Sequence, residues 1–133
     1  MKPRNYKHLI VWQKSVDLSL LVYRKTESFP TSELFGLVSQ MRRSAISIPS
    51  NVAEGNKRGT DKEYRKFIQI SLGSGAELET QRIIASGLGY IDGKDGAELS
   101  ESIEEVMRLL GGLEKAISDR ICESKHIAVR PDS

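Results

Sequence analysis

Between residues 99 and 121, apolar side chains recur at steps of three and four: Leu99, Ile103, Val106, Leu110, Leu113, Ile117 and Ile121. A helix of 3.6 residues per turn sets such positions along one face. A stripe this long is a heptad-like seam, and it is stable only when other helices cover it. The rest of the chain has to supply that cover.

Three further stretches have the same period. Leu9, Trp12, Val16, Leu20 and Tyr23 form the first stripe, widened by Val11, Leu18 and Val22, and Phe29-Pro30 stops it. Thr31 or Ser32 is placed to cap a second helix with Glu33 in its first turn; its stripe is Leu34, Leu37, Met41, Ala45, Ile48 and Val52. Pro49 falls inside that stripe, and because the period continues to Val52 it predicts a kink rather than an end. Gly55 and Gly59 bracket a polar turn, and Thr60-Asp61-Lys62-Glu63 is a capping box. The third helix turns Tyr64, Phe67, Ile68, Ser71, Gly75 and Leu78 inward, then Ile84, Ala85 and Leu88. Its Gly73-Ser74-Gly75 is costly in a helix and predicts close approach of a neighbouring backbone. Gly87 and Gly89 end the helix, and Asp92-Gly93-Lys94-Asp95-Gly96 reads as a turn.

The expected fold is all-α: helices over about 8–28, 32–56, 60–88 and 95–122, joined by short connections. Such connections favour an antiparallel up-down-up-down four-helix bundle. Residues 1–123 form the bundle, and the aperiodic 124–133 form a flexible tail. At 133 residues, 38% hydrophobic and 29% charged, the chain is large enough for one continuous core and too apolar for wholesale disorder. Cys122 is the single cysteine, so no intramolecular disulfide exists, which fits a reducing compartment. No apolar run nears the roughly 20 residues of a membrane span. Lys14 and Asp17 interrupt what would otherwise be a signal-peptide core. The expected location is cytoplasmic, with no membrane partner.

No grouping of residues promises catalysis. His8 and His126 lie outside the stripes and lack Cys or His partners at metal-ligand spacing, and there is no Glu-x-x-His pair of the kind di-iron bundles use. Glu101, Glu104 and Glu105 read as a solvated face, and Gly73-Ser74-Gly75 as packing rather than a nucleophile elbow. Gly55-Asn56-Lys57-Arg58-Gly59 precedes a helix N-terminus but lacks the Walker spacing and a preceding strand. The expectation is therefore no enzyme, no metal and no cofactor.

Charge supplies the functional signal. Residues 1–66 carry a net +7 and residues 67–133 a net −5, which predicts a bundle with basic and acidic faces. The densest basic stretch holds Arg42, Arg43, Lys57, Arg58, Lys62, Arg65 and Lys66, set against Glu54, Asp61 and Glu63. Such a patch neutralises phosphates and binds nucleic acid with strong salt dependence and little sequence preference. A basic turn pairing with acids of a neighbouring helix or subunit accounts for the same residues equally well.

The run Gln40-Met41-Arg42-Arg43-Ser44-Ala45, Ser47-Ile48-Pro49-Ser50-Asn51-Val52-Ala53-Glu54-Gly55 adds a resemblance, together with Phe29-Pro30, Glu33, Gly36-Leu37, Trp12, Gly73-Ser74, Glu77 and Leu88-Gly89-Tyr90. From about Lys7 to Ile121 the chain resembles the bacterial four-helix-bundle proteins first described as encoded in 23S rRNA intervening sequences. The resemblance implies a left-handed bundle that assembles into a ring-like homopentamer. A related branch, the accessory proteins of diversity-generating retroelements, forms a basic barrel that binds nucleic acid and a reverse transcriptase. By that likeness Arg42, Arg43, Lys57 and Arg58 are the residues to carry over, and no catalytic residue is implied. Tyr6, Ile10, Phe35, Ile46 and Ile70 lie off the main stripes, and apolar surface of that kind commonly marks subunit contacts. The expected function is a non-enzymatic oligomeric bundle binding RNA or DNA non-specifically through its basic surface. The alternative is a structural or protein-binding scaffold with no nucleic-acid role.

Overall fold

The computed structural model describes residues 5–129, with side chains as far as Lys125. Its four helices are α1 (Ile10–Thr26), α2 (Leu37–Asn56), α3 (Asp61–Gly87) and α4 (Gly93–Val129); short 3-10 turns cover Tyr6–His8 and Thr31–Glu33. No strand occurs among the described residues. Each helix packs on the next, and α1 closes on α4.

Local chemistry explains most of the boundaries. Thr60 caps α3, its hydroxyl accepting from the Glu63 N–H at 3.2 Å. Gly89, at φ 76°, turns the chain off α3: its N–H donates to the Ser86 carbonyl, and that of Tyr90 donates to Ala85. These are the two bonds of a Schellman stop. Two starts differ from expectation. Neither Thr31 nor Ser32 caps α2; residues 31–33 close a separate 3-10 turn, and Gly36, at φ −109° and ψ −110°, delays the helix to Leu37. The Asp92–Gly96 run is not a free turn but the first turn of α4, because the Asp92 carboxylate accepts from the Asp95 N–H at 2.7 Å. At its other end α4 continues through the expected tail to Val129; residues 130–133 of that tail lie outside the described residues.

The seam of α4 is core as expected: Leu99, Ile103, Val106, Leu110 and Ile117 are buried, with Leu113 and Ile121 partly so. Met41, Ala45, Ile48 and Val52 of α2 share one core cluster with it, as do Tyr64, Ile68 and Leu78 of α3. Leu34, Ile84 and Leu88, expected inside, are exposed. In α1 the core takes a different face from the one the largest residues mark. Val11, Ser15, Leu18 and Val22 are buried, while Leu20 and Tyr23 are 53% and 40% exposed. Two apolar stripes run along this helix about one residue, or 100°, apart. The inner one contains serines, which disguise it in the sequence.

Those serines matter because of Pro49, which lies within α2 and has no N–H to give the carbonyl of Ala45. Ser19 of α1 donates its hydroxyl to that carbonyl at 3.1 Å, sharing it with its own Ser15 carbonyl at 3.0 Å. From the other side Ser71 of α3 donates to the Ile48 carbonyl at 2.9 Å, and the Ser47 and Ser74 hydroxyls meet at 2.8 Å. The helices also come close at Gly55, buried within α2, where a Cβ would come 2.7 Å from Cβ of Phe67 and 3.3 Å from the Tyr64 carbonyl. The glycines of α3 play a different part from the one expected: a Cβ at Gly75 would collide with the Met107 sulfur, a side chain rather than a backbone, and Gly73 faces open space.

Polar ties between helices follow one order. From α1 to α2 they join Tyr6 with Lys57, Ser19 with Ala45, and Thr26 with Arg42. From α2 to α3 they join Asn56 with Tyr64, Ile48 with Ser71, and Ser47 with Ser74. Asp61 with Arg120 and Arg65 with Glu114 tie α3 to α4; Lys14 with Glu105 and Lys25 with Asp95 tie α1 to α4. In each series one residue number rises as the other falls.

The serine–proline coupling predicts a non-additive pair. Ser19→Ala should cost about 1–3 kcal/mol, the price of a buried carbonyl left unsatisfied. In a Pro49→Ala background, where an N–H is restored, the same change should cost at least about 1 kcal/mol less. Urea denaturation of the four proteins measures this, and an equal cost in both backgrounds would refute the coupling.

Two ties at the α1/α4 end set an alkaline limit. Hydrogen bonds to Asp95 and Glu98 hold the Lys25 ammonium above its ordinary pKa, and the bond from the Tyr90 hydroxyl to Glu33 at 3.0 Å raises the phenol likewise. A folded pKa above the unfolded one stabilises fully below the unfolded value, near pH 10 for both groups, and is lost as pH climbs through the folded one. The melting temperature of the protein should therefore fall above about pH 10 more steeply than that of Lys25→Met/Tyr90→Phe. Parallel curves would contradict it.

Candidate nucleic-acid interface

The connection from α2 to α3, Lys57–Thr60, concentrates the basic residues, and its geometry is set by what packs beneath it. Gly55 lets the two helices meet, and the Asn56 side chain donates to the buried Tyr64 hydroxyl at 3.1 Å. The Lys57 N–H closes α2 by donating to the Ala53 carbonyl. Three residues later Thr60 opens α3. A short turn pinned at both ends holds its cations at a defined end of the molecule.

Several of these cations already have partners. Arg58 pairs with Glu54 at 2.6 Å and lies 5.0 Å over the Phe67 ring; the Lys57 ammonium sits 5.9 Å from the Tyr6 ring centre. Arg65 reaches Glu114 at 3.0 Å, and the Ser118 hydroxyl together with Arg65 holds that carboxyl below its ordinary range. Asp61 receives both arms of Arg120, at 3.1 and 3.2 Å. Lys62 and Lys66 differ. Both are exposed, they stand one turn apart on α3, and neither side chain makes a hydrogen bond or ion pair with any described residue.

Seven basic residues were expected to act together, and the structure divides them. Lys57, Arg58, Lys62, Arg65 and Lys66 share the turn and the first turns of α3. Arg42 and Arg43 stand about 20 Å away along α2, at 1.5 Å per residue. Arg42 is committed to the scaffold: its Nε donates to the Thr26 hydroxyl at 3.0 Å, an Nη to the Tyr23 carbonyl at 3.4 Å, and the guanidinium lies 4.4 Å over the Tyr23 ring. It thus satisfies the C-terminal end of α1. Arg43 is exposed beside a shallow groove between α2 and α3 that Ser47, Ser74 and Glu77 also line.

Sequence reasoning overlooked the residues that the fold brings to the same end. Lys115, Arg120 and Lys125 arrive on α4, and Lys7 on the N-terminal turn. Their only signal was topological, since the α2–α3 turn and the end of α4 are far apart in sequence. Part of the basic-to-acidic contrast closes within the molecule through Lys14–Glu105 at 3.4 Å and Lys25 with Asp95 and Glu98 at 2.7 Å each. What remains is polar along the bundle. Divided at the level of the Ser47–Ser74 bond, residues 5–17, 48–74 and 108–125 carry a net +4, and residues 18–47 and 75–107 a net −4.

Among the described residues, no group of three His, Cys, Asp or Glu side chains is placed to hold a metal ion. No described helix is long and apolar enough to cross a membrane.

Residues 7–112 match the family model of the 23S rRNA-intervening sequence protein. Among solved structures the chain is similar to a protein with unknown function from the S23 ribosomal protein family of Bacteroides thetaiotaomicron VPI-5482. The TM-score is 0.72 at 20% identity, over 80% of this chain and 99% of that one, a likeness of fold. No curated protein matches the sequence.

Proposed function

The chain belongs to the 23S rRNA-intervening sequence protein family, and from that premise we propose that it is a non-enzymatic, cytoplasmic bacterial protein that assembles from several copies and binds RNA or DNA by its phosphates. The observation that carries the reading is the pair Lys62 and Lys66, exposed and unpaired among the described residues at the basic end of the bundle. Lys57, Arg58, Lys115 and Lys125 extend the same field. Cations arrayed on a rigid turn release counterions when they meet phosphates, whatever the base sequence. Tyr6 and Phe67, the aromatic rings nearby, lie under Lys57 and Arg58, an arrangement that favours backbone contact over base stacking. Arg42 leaves the interface in this reading and acts as a tie between helices.

An antiparallel up-down-up-down course belongs to the same proposal, supported by the opposed numbering of the interhelix ties; so do a left-handed twist, which family likeness favours, and a bend of α2 at Pro49. A homopentamer is the assembly family likeness favours, with a reverse transcriptase as partner in a retroelement setting. The scaffold reading is favoured by a different observation, the apolar surface outside the core: Ile10, Leu20, Ile83 and Leu88 are each more than half exposed. The two readings are compatible wherever the apolar surface builds the assembly and the basic end faces outward.

Fluorescence anisotropy with labelled RNA and DNA duplexes separates them. Binding at about 50 mM salt should weaken steeply as salt rises, and Lys62→Glu/Lys66→Glu should lower affinity by about tenfold or more and flatten the salt slope by about 2. An intact assembly that binds neither duplex at that salt overturns the nucleic-acid reading. Light scattering after size exclusion should return a multiple of the chain mass, and a clean monomer at micromolar concentration overturns the assembly.

A further inference from the structure

Of the apolar features outside the core, two are complementary. The first is Phe35, 94% exposed at the bend between the 3-10 turn and α2. Its backbone is held on both sides. The Gly36 N–H donates to the Glu33 carbonyl at 3.0 Å, and the Glu33 carboxylate is anchored by the Tyr90 hydroxyl. That carboxylate lies against Gly36, with an oxygen 2.9 Å from where a Cβ would stand. Phe35 is thus a fixed prong with a negative charge at its base.

The second is a groove on the outer side of α1 and α2, lined by Val16, Ser19, Leu20, Tyr23, Ile46 and Pro49 and almost wholly apolar. It exists because α1 buries its serine-bearing stripe and leaves Leu20 and Tyr23 outward. Cations flank its Tyr23 end: the Arg42 guanidinium lies over the Tyr23 ring, and Arg24, exposed and without an ion-pair partner among the described residues, stands one turn after Leu20, with Asp17 one turn before it. An aromatic prong based on a carboxylate and an apolar groove flanked by guanidiniums at its Tyr23 end match in polarity and in charge.

We propose that Phe35 of one copy seats in the Val16–Leu20–Tyr23–Ile46–Pro49 groove of a second copy, with Glu33 facing Arg24 across the contact. The seat names the surfaces of the assembly described above and rests on that reading. A single ring does not bury enough to hold two proteins together, since a specific interface covers about 1,200–2,000 Å² and a phenylalanine 150–250 Å². It acts as the anchor of a wider contact, as buried aromatics in pockets do.

The test replaces Phe35 with the photoreactive aromatic p-benzoylphenylalanine, which keeps the prong. Irradiation should give a covalent dimer, with the adduct mapped by mass spectrometry to peptides covering residues 16–24 or 43–50. Separately, Phe35→Glu and Ile46→Glu should each weaken self-association by about tenfold or more, with helical circular dichroism unchanged. If the natural chain is multimeric but the adduct maps elsewhere, or both variants assemble normally, the seat is wrong while the assembly stands. If the natural chain is monomeric at the concentration irradiated, assembly and seat fail together.

Discussion

Pro49 imposes a condition that the helices around it satisfy. A proline in the middle of a helix leaves the carbonyl one turn back without its N–H, and here that carbonyl, on Ala45, faces the buried side of α2. Leaving it bare inside a packed core would cost as much as a lost hydrogen bond. Ser19 supplies the donor, which requires α1 to lie with its serine stripe against α2. That rotation takes Leu18 and Val22 into the core and sends Leu20 and Tyr23 outward. The interior of the bundle and its outer apolar groove therefore share one cause.

The same economy shapes the polar surface. Several arginines end up bound within the molecule: Arg42 on the end of α1, Arg65 on Glu114, Arg120 on Asp61 and Arg82 on Glu79. The planar guanidinium suits such fixed pairings, whereas a lysine is a mobile point charge on a long stem. Lys62 and Lys66 accordingly stay in solvent. Exposed pairs contribute little individually to stability, so the arrangement matters more for where charge remains than for how firmly the bundle holds. It remains at the α2–α3 turn as excess positive charge and along the first half of α4 as excess negative charge.

Two surfaces of different character result, each placed by the packing of rigid helices. The basic end is built on a turn pinned by Gly55, Asn56 and Thr60, and the apolar groove on two helices locked by Ser19 and Ala45. They lie on different parts of the molecule, so in the proposed assembly copies joined at one would leave the other open. Under that proposal many cations would face one nucleic acid, where individually weak phosphate contacts add.

The sequence by itself determined the number of helices, the α4 seam, the Thr60 cap and the stop at Gly89, because each is written in residues within a few turns of one another. It also placed Lys57 to Lys66 together, since they are neighbours along the chain. Only the tertiary structure decided which of two stripes on α1 faces inward, that Arg42 is a tie, that Asp92 draws Gly93–Gly96 into α4, and that Lys115 and Arg120 join the basic end. Periodicity gives a helix its apolar faces but not its rotation about its own axis. That rotation, and the partner each charge finds, depend on residues tens of positions away, such as a serine on one helix answering a proline on another.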